Sequence, residues 1–386
     1  MNDRTAVFDK FWALAKDLCQ NLLEREQAIE AALLALLAKE HLLLLGPPGT
    51  AKSLLARSIC ERITGAVYFE RLLTRFSTPE ELFGPLSLSA LEQDRYQRIT
   101  KGTIVEAHIA FLDEIFKANS AILNSLLSLL NERIYHEAGE GLPVPLVALI
   151  AASNETPEDD GLAALYDRFL LRVTVPCIAD DDNLKRLLEL EEQPMATSLA
   201  LDDITAAQKE VLAIPLSDEA KDAIIAVKHD LETEGVAASD RRWRAAAKIL
   251  KAKAWLEGDT SALAVHAETL VHVLWTDPAH IRLVERVVGK VANPLNLEAV
   301  ELEDAAKDLY LQRPTPDAPN LTEALEPLLR QLSDIHTRLE QRIAKAPEKR
   351  SLRARQALKQ VETYHRALSQ LALQGISRLH MAPGAG

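Results

Sequence analysis

The stretch HLLLLGPPGTAKSLLARS, residues 41–58, determines the fold around it. Leu42–Leu45 is a short, unbroken apolar run, which is typical of a strand buried on both faces. The turn Gly46–Ser53 follows, and Ser53–Arg57 then opens a helix with apolar residues on one side. A strand, a glycine-rich turn ending in Lys-Ser and a helix together form the pattern of a phosphate-binding loop.

The residue types in this turn fit the chemistry of a nucleotide triphosphate. Glycines let backbone N–H groups approach phosphate oxygens, and the helix N-terminus adds partial positive charge below them. We expect Lys52 to reach the β- and γ-phosphates of ATP and the Ser53 hydroxyl to bind Mg²⁺. Ala51 replaces the glycine that usually precedes the lysine, so this position must tolerate a methyl group. The predicted nucleotide-binding residues of the loop are Gly46, Pro47, Pro48, Gly49, Thr50, Ala51, Lys52, Ser53 and Leu54.

A second motif lies at the end of the apolar run Ile109–Leu112, which is followed by the carboxylates Asp113 and Glu114. We expect Asp113 to contribute to the nucleotide site by holding the same Mg²⁺ as Ser53. We expect Glu114 to orient and polarise the attacking water, since hydrolysis of the γ-phosphate needs a positioned nucleophile. Acids end many strands, but an acidic pair that follows a phosphate-binding loop is a far more specific signal.

A third polar position follows the next apolar strand, Leu146–Ala151. Asn154 stands just beyond its carboxyl end, where ligands bind in parallel sheets, although asparagine also commonly forms turns. Strands alternate with helices up to residue 175, which predicts an α/β core with a mostly parallel sheet. Two hairpins are predicted as insertions, one pairing Leu86–Ala90 with Tyr96–Thr100 and one near residues 133–146.

The sequence beyond about residue 180 has a helical pattern. We expect the α/β core at 1–178, an all-α lid at 179–276 and a C-terminal helical region at 277–386, with a proline-rich linker near 313–319. Leucines after the linker recur at spacings of four and three, which predicts an antiparallel helical hairpin. Pro327 lies in that pattern, so the regular helix is expected to begin only there.

Composition narrows the classes of function. The 386 residues are 48% hydrophobic with a net charge of −13, which disfavours binding to nucleic acid or anionic membranes. The C-terminal tail is locally basic; we interpret this as a solvated helix face, with an acidic partner or nucleic acid as the alternative. Cys19, Cys60 and Cys177 lack metal-binding spacing, so reduced, buried thiols in a cytoplasmic protein are expected. Neither a membrane span nor a signal peptide is predicted.

The chain resembles AAA+ ATPases of the MoxR family, and most closely the RavA branch of that family. The resemblance covers residues 20–256. It rests on LGPPGTAKS at 45–53, TRFSTPEELFGPLS at 74–87, FLDEI at 111–115, LLSLLNER at 126–133, AASNE at 151–155, ALYDRFLLR at 164–172 and SDRRW at 239–243. The tail departs from the best-known RavA form, because residues 313–380 show no strand pattern and leave no room for its β-rich domain.

The resemblance implies further roles. The two hairpins would be the helix-2 insert and the pre-sensor hairpin. Asn154 would be sensor 1, which contacts the γ-phosphate and the attacking water. Arg168 would be the arginine finger that completes the site of a neighbouring subunit in a ring, expected to be a hexamer. Arg241, with Arg242 as its competitor, would be sensor 2 and reach over the phosphates from the lid.

The implied activity is ATP hydrolysis by a chaperone-like ring that remodels or matures a protein or protein complex. The family implies a partner protein with a von Willebrand factor A (vWA) domain. Three alternatives stay open: a nucleic-acid motor, a magnesium-chelatase-type subunit and a non-catalytic nucleotide switch. The charge balance argues against the first, and the intact Lys52, Asp113, Glu114, Asn154 and Arg168 argue against the last.

Overall fold

The computed structural model describes residues 2–137, 139–157, 162–190, 197–316, 318, 320–346 and 351–381. Contacts divide the chain into two compact units. One unit consists of residues 1–224 and 235–280, and the other consists of residues 225–234 and 281–386. No helix in the described part of the chain is long and apolar enough to cross a membrane.

The described strands are short and are numbered in chain order. They are β1 (Leu42–Leu45), β2 (Ile63–Thr64), β3 (Tyr68–Leu72), β4 (Ile109–Asp113), β5 (Ile134–Glu137), β6 (Glu140–Pro143), β7 (Ala148–Ser153), β8 (Leu171–Thr174) and β9 (Leu199–Ala200). The α-helices are numbered in the same way. They are α1 (Asn2–Asn21), α2 (Glu26–Ala38), α3 (Lys52–Glu61), α4 (Pro79–Phe83), α5 (Leu88–Leu91), α6 (Ser120–Glu132), α7 (Ala163–Tyr166), α8 (Asp181–Leu188), α9 (Leu201–Ala213), α10 (Asp218–Thr233), α11 (Asp240–Leu256), α12 (Val271–Leu274), α13 (Ile281–Ala292), α14 (Pro294–Leu311), α15 (Leu321–Ile343) and α16 (Leu352–Met381).

A five-stranded, wholly parallel sheet with the order β3-β4-β7-β1-β8 forms the centre of the first unit. Every residue of β1 and β7 is buried, which explains why these strands are continuous apolar runs rather than alternating ones. The predicted α/β class with a parallel sheet is confirmed. The helical pattern predicted beyond residue 180 is also confirmed, in α8 to α16.

The register of the sheet defines two edges that matter for function. At the carboxyl edge, Leu45 pairs with Ser153 and Leu72 pairs with Asp113, so the segments that follow β1, β4 and β7 emerge side by side. At the amino edge, Leu42 pairs with Leu171, so the segment that precedes β8 lies beside the start of β1. At roughly 3.3 Å per residue, β1 alone separates the two edges by about 13 Å.

The two predicted hairpins have different outcomes. The one near 133–146 is confirmed, since β5 and β6 pair antiparallel. The pairing predicted between 86–90 and 96–100 is confirmed only at one antiparallel bridge, between Leu86 and Arg98, and is wrong beyond it because Leu88–Leu91 is helical. The Ser87 hydroxyl accepts a hydrogen bond from Ala90 N at 3.3 Å, and this cap favours a helical turn over an extended strand.

In the second unit, α15 and α16 pack together as predicted, and α14 packs against both, so three helices bury the leucine pattern. The helix α15 begins at Leu321 rather than at Pro327. An interior proline costs a helix about 3 kcal/mol, whereas each buried leucine contributes about 2 kcal/mol. Leu321 and Leu325, which precede the proline, are both buried, so their packing offsets its cost.

Candidate active site

The turn between β1 and α3 has the backbone of a phosphate-binding loop. A Cβ built on Gly46 would lie 2.2 Å from the carbonyl oxygen of Val175, so only glycine fits there. Gly49 and Ala51 both have positive φ, at 79° and 65°. Ala51 thus takes the left-handed conformation that glycine usually supplies at this position, at a cost of about 1 kcal/mol. The loop therefore holds alanine at this position at the cost of backbone strain.

Lys52 lies inside this loop rather than on its surface. Its Nζ donates hydrogen bonds to the carbonyl oxygens of Gly46 at 2.6 Å and Pro47 at 2.7 Å, and 7% of the residue is exposed. Burial lowers the pKa of Lys52, while the nearby Asp113 and Glu114 carboxylates act in the opposite direction. The ammonium has a third donor hydrogen, so it can bind a phosphate oxygen beside the loop.

Asp113 and Glu114 emerge from β4 next to this loop. Glu114 has a φ of 54°, which is uncommon for a residue with a side chain, and its backbone N–H donates to Asp113 Oδ1 at 3.0 Å. The left-handed residue redirects the chain from the strand into the turn that follows it. Oxygen ligands such as Asp113 and the Ser53 hydroxyl at the start of α3 suit Mg²⁺, and Lys52 lies close enough to Asp113 to interact electrostatically.

The structure brings Asn154 to Glu114. Asn154 lies beyond β7, and its Nδ2 donates to Glu114 Oε1 at 2.9 Å. The other carboxylate oxygen of Glu114 lies 3.2 Å from Lys117 Nζ. Two neighbouring groups therefore fix the carboxylate that the sequence predicts to polarise water, and one of them is the residue expected to contact the γ-phosphate.

An apolar cavity of about 680 Å³ adjoins the loop and was missed by sequence reasoning. Its wall includes the loop residues Gly49, Thr50 and Ala51 together with leucines from three separate segments. Those leucines are Leu22 and Leu23 after α1, Leu54 in α3, and Leu184 and Leu187 in α8. Leu54, Leu184 and Leu187 are each more than two-fifths exposed, so the cavity can bury a flat apolar group next to the phosphate loop.

A buried arginine braces the loop from behind. Arg25 is 6% exposed, and its Nε donates to the carbonyl of Thr50 at 3.1 Å while one Nη donates to the carbonyl of Pro176 at 2.8 Å. It therefore ties the loop to the segment after β8. The sequence showed this residue only as part of a charged break between two helices, and nothing local distinguishes a buried arginine there from an exposed one.

Arg168 and Arg241 are not brought to the loop; they lie together at the amino edge. Arg241 Nη1 is 3.5 Å from Asp167 Oδ2, and burial and then the positive charge of Arg241 lower the pKa of Arg168. Arg241 lies away from the loop of its own chain, because α11 begins beside the segment that precedes β8. The sensor 2 role stays a prediction. Arg242, its competitor, is 1% exposed and donates to backbone carbonyls.

One cluster in the described part of the chain has the spacing of a metal site: Glu257, Asp259 and His266. The Nδ1 of His266 accepts a hydrogen bond from Leu263 N at 2.8 Å, so in the neutral ring Nε2 carries the proton. That proton faces Asp259 at 3.0 Å and Glu257 at 3.3 Å. The cluster is therefore a hydrogen-bond network, and binding a metal at Nε2 would require an imidazolate.

The cysteines differ in exposure. Cys60 is buried and Cys19 is partly buried, and burial raises the pKa of both thiols to about 11. Cys177 is exposed and lines the apolar cavity, so the expectation of three buried thiols is wrong for this residue.

Comparison with known proteins identifies the family. Residues 9–211, more than half of the chain, match the family model described as the MoxR domain in the MoxR-vWA-beta-propeller ternary systems. The chain belongs to the MoxR family of AAA+ ATPases. Residues 219–288 match an AAA lid domain, which agrees with the helical region after the sheet.

Two relatives of this MoxR protein come from Methanocaldococcus jannaschii. The uncharacterized protein MJ0812 is 44% identical over 72% of this chain and 75% of its own length, and the uncharacterized protein MJ0079 is 39% identical over 78% and 80%. Chaperone MoxR1 of Mycobacterium tuberculosis is 30% identical over 39% of this chain and 40% of its own. The chain also resembles the crystal structure of a putative ATPase from Cytophaga hutchinsonii, with a TM-score of 0.61 at 15% identity. The match covers 75% of this chain and 96% of the ATPase chain, and it supports the fold.

Proposed function

We propose that the protein hydrolyses ATP with Mg²⁺ in a ring, expected to be a hexamer, whose nucleotide sites are shared between neighbouring subunits. The observation that carries the proposal is the separation of two sets of residues within one chain. Lys52, Asp113, Glu114 and Asn154 lie at the carboxyl edge, whereas Arg168 lies at the amino edge. This separation supports a finger that completes the site of another subunit rather than its own.

The residues at the carboxyl edge support hydrolysis rather than nucleotide binding alone. Lys52 would neutralise the β- and γ-phosphates, Ser53 and Asp113 would hold Mg²⁺, and the magnesium would stabilise charge on the transferring group. Glu114 would accept hydrogen bonding from the attacking water, with Asn154 fixing the carboxylate through the 2.9 Å contact. The apolar cavity next to Gly49 and Ala51 would hold the nucleobase.

The position of Arg241 suggests that it acts with Arg168. Both arginines face the amino edge beside Asp167, and a planar cation stabilises charge on a transferring phosphoryl group. We therefore assign the sensor 2 role to Arg241 in the neighbouring subunit's site rather than in its own. The burial and the backbone contacts of Arg242 argue against this role for it.

The first test is the ATPase rate as a function of protein concentration, with molecular mass measured alongside. We expect the rate per subunit to rise as a ring of about six assembles, because a shared site needs two chains. The sharper test mixes two inactive variants. Arg168→Ala subunits keep a loop but lack the finger, and Glu114→Gln subunits lack the catalytic carboxylate but keep the finger.

Random mixing at equal amounts puts an intact loop against an intact finger at about a quarter of the interfaces, so about a quarter of the wild-type rate should return. The absence of recovery in rings of normal mass would contradict a shared site. Full activity of Arg168→Ala alone, or of a monomer, would show that Arg168 is not a finger.

The biological role proposed for this ring is chaperone-like remodelling or maturation of a protein complex, together with a vWA-domain partner. Support comes from the matching family description, which names vWA and β-propeller components, and from the chaperone-named relative. The RavA branch stays a hypothesis. Capture of partners on Glu114→Gln rings with bound ATP tests the role. Recovery of a vWA-domain protein with ATP but not with ADP would support it, and equal recovery with both would contradict it.

A further inference from the structure

Two arginines are buried beside the segment that carries Arg168. Arg172 in β8 is 0% exposed and Arg242 in α11 is 1% exposed. Burial and the charge of Arg242 lower the pKa of Arg172 to about 9, and burial lowers that of Arg242. Removing a guanidinium from water is costly unless its donors find partners. All donor nitrogens of these two arginines except Arg172 Nε have partners in the described part of the chain, and those partners indicate what the two positions do.

Arg172 joins two segments that are far apart in sequence. We call Tyr166–Leu170 the finger segment and Val273–Thr276 the lid-end segment, since the latter falls within the AAA lid match. Arg172 donates to the carbonyl of Tyr166 at 2.8 Å and to the carbonyl of Trp275 at 2.5 Å. Its guanidinium also lies 3.8 Å from the centre of the Tyr166 ring. The Tyr166 hydroxyl in turn donates to the carbonyl of Thr276 at 2.7 Å.

Arg242 joins the same two segments from the other side. Its Nε donates to the carbonyl of Val273 at 2.9 Å, and one Nη donates to the carbonyl of Leu170 at 2.9 Å. The other Nη lies 3.2 Å from Asp167 Oδ1. Together the two arginines hold residues on both sides of Arg168 and attach them to the lid-end segment.

The side chain of Arg168 has less support of its own. It is partly exposed, and its Nε is buried without a hydrogen-bond partner in the described part of the chain. Residues 167–170 are not helical, because α7 ends at Tyr166. The direction of the finger therefore depends on how its backbone is held. That backbone is held by Arg172 and Arg242 through the carbonyls of residues 166, 169 and 170.

We propose that Arg172 and Arg242 are positioning residues that set the direction of the Arg168 finger and couple it to the lid of the same chain. A displacement of the lid-end segment would move the finger segment with it, since both arginines donate to both segments and the Tyr166 hydroxyl donates directly to Thr276. The proposal rests on the proposed function, in which Arg168 acts in a neighbouring site. It adds that the lid of one subunit controls hydrolysis in the next.

The test uses the mixture of two inactive variants. The reporter subunit carries Arg168→Ala, and the donor carries Glu114→Gln, so all turnover occurs at a reporter loop completed by a donor finger. Arg172→Met is then added to the donor. Methionine fills similar volume without the donor fork, and we expect turnover to fall about ten-fold while ring mass and donor binding of a fluorescent ATP analogue change less than two-fold.

The matched control adds Arg172→Met to the reporter instead. The reporter has no finger left to misdirect, so the loss there should be less than two-fold. Equal losses in donor and reporter would indicate a general structural defect and overturn the proposal. No loss in the donor would overturn it as well. If the mixture lacking Arg172→Met shows no turnover, the shared site itself fails, and the inference fails with it.

A milder variant covers the case in which Arg172→Met does not assemble. Tyr166→Phe keeps the ring under Arg172 and removes only the hydroxyl that donates to Thr276. We expect a two- to four-fold loss when it is placed in the donor, with no loss in the reporter. Arg172→Lys in the donor should recover part of the rate lost by methionine, because it keeps one charged donor but loses the fork.

Discussion

The carboxyl edge and the amino edge of the sheet carry opposite chemistry within one chain. At the carboxyl edge, site side chains contact one another: Asn154 bonds to Glu114, and Lys52 lies between the loop carbonyls and the acids. At the amino edge, two cations lie together instead, with Arg168 and Arg241 beside the carboxylate of Asp167. Like charges repel, and the proposed shared site would relieve that repulsion by bringing the phosphates of a neighbouring subunit to this edge.

The largest expected effect comes from breaking the carboxyl edge at Glu114. Glu114→Gln keeps the shape of the side chain but cannot take up the proton of the attacking water, so we expect ATP turnover to fall about a thousand-fold or more. Binding should persist, because Lys52 and the loop are unchanged. Steady-state hydrolysis and binding of a fluorescent ATP analogue measure the two effects. Glu155→Gln, an exposed carboxylate nearby, is the control, and an equal loss in both variants would contradict the assignment.

Removing the Arg241 side chain at the amino edge should lower ATP turnover by less, and the loss should occur in the site of the neighbouring subunit. Arg241→Ala removes one of two clustered cations, and we expect a ten- to hundred-fold loss of turnover. When the substitution is placed in Glu114→Gln donors, turnover by Arg168→Ala reporters should fall by the same factor. The control is Arg244→Ala, an exposed arginine on the same helix. If turnover falls only when Arg241→Ala is placed in the reporter, Arg241 acts in the nucleotide site of its own subunit.

The sequence allowed the side chains that meet at the carboxyl edge to be predicted, but not which side chains meet at the amino edge, for a physical reason. Residues that end parallel strands must meet at one edge, so the local motifs at Lys52, Glu114 and Asn154 already imply their proximity. The location of Arg241 depends instead on where α11 packs against segments that are distant in sequence, and no local pattern specifies that packing. The burial of Arg172 and Arg25 could not be predicted for the same reason, because their carbonyl partners come from segments that are distant in sequence.

The carboxyl edge also depends on support from behind, and Arg25 offers a way to measure it. Arg25→Met removes the hydrogen bonds to Thr50 and Pro176 but keeps an apolar stem, so the loop should be less well ordered before nucleotide binds. We expect affinity for ATP to fall about five- to ten-fold, with a smaller change in turnover at saturating ATP. Arg57→Met, at an exposed position of α3, is the control. An unchanged affinity would show that the loop is ordered without this brace.

The smallest expected effect concerns strain at the carboxyl edge, where Ala51 holds a φ of 65°. Left-handed backbone costs an L-residue about 1 kcal/mol or more, whereas glycine adopts it freely but loses more entropy on folding, about 0.5–1 kcal/mol. Ala51→Gly should therefore raise the free energy of unfolding by about 0.5 kcal/mol at most. Ala51→Val should lower it by more than 1 kcal/mol, since a β-branched residue is strongly disfavoured there. Denaturant unfolding gives the free energy of unfolding of both variants. If Ala51→Val and Ala51→Gly had equal free energies of unfolding, residue 51 would not be held in the left-handed conformation. The carboxyl edge would then carry no backbone strain at this position.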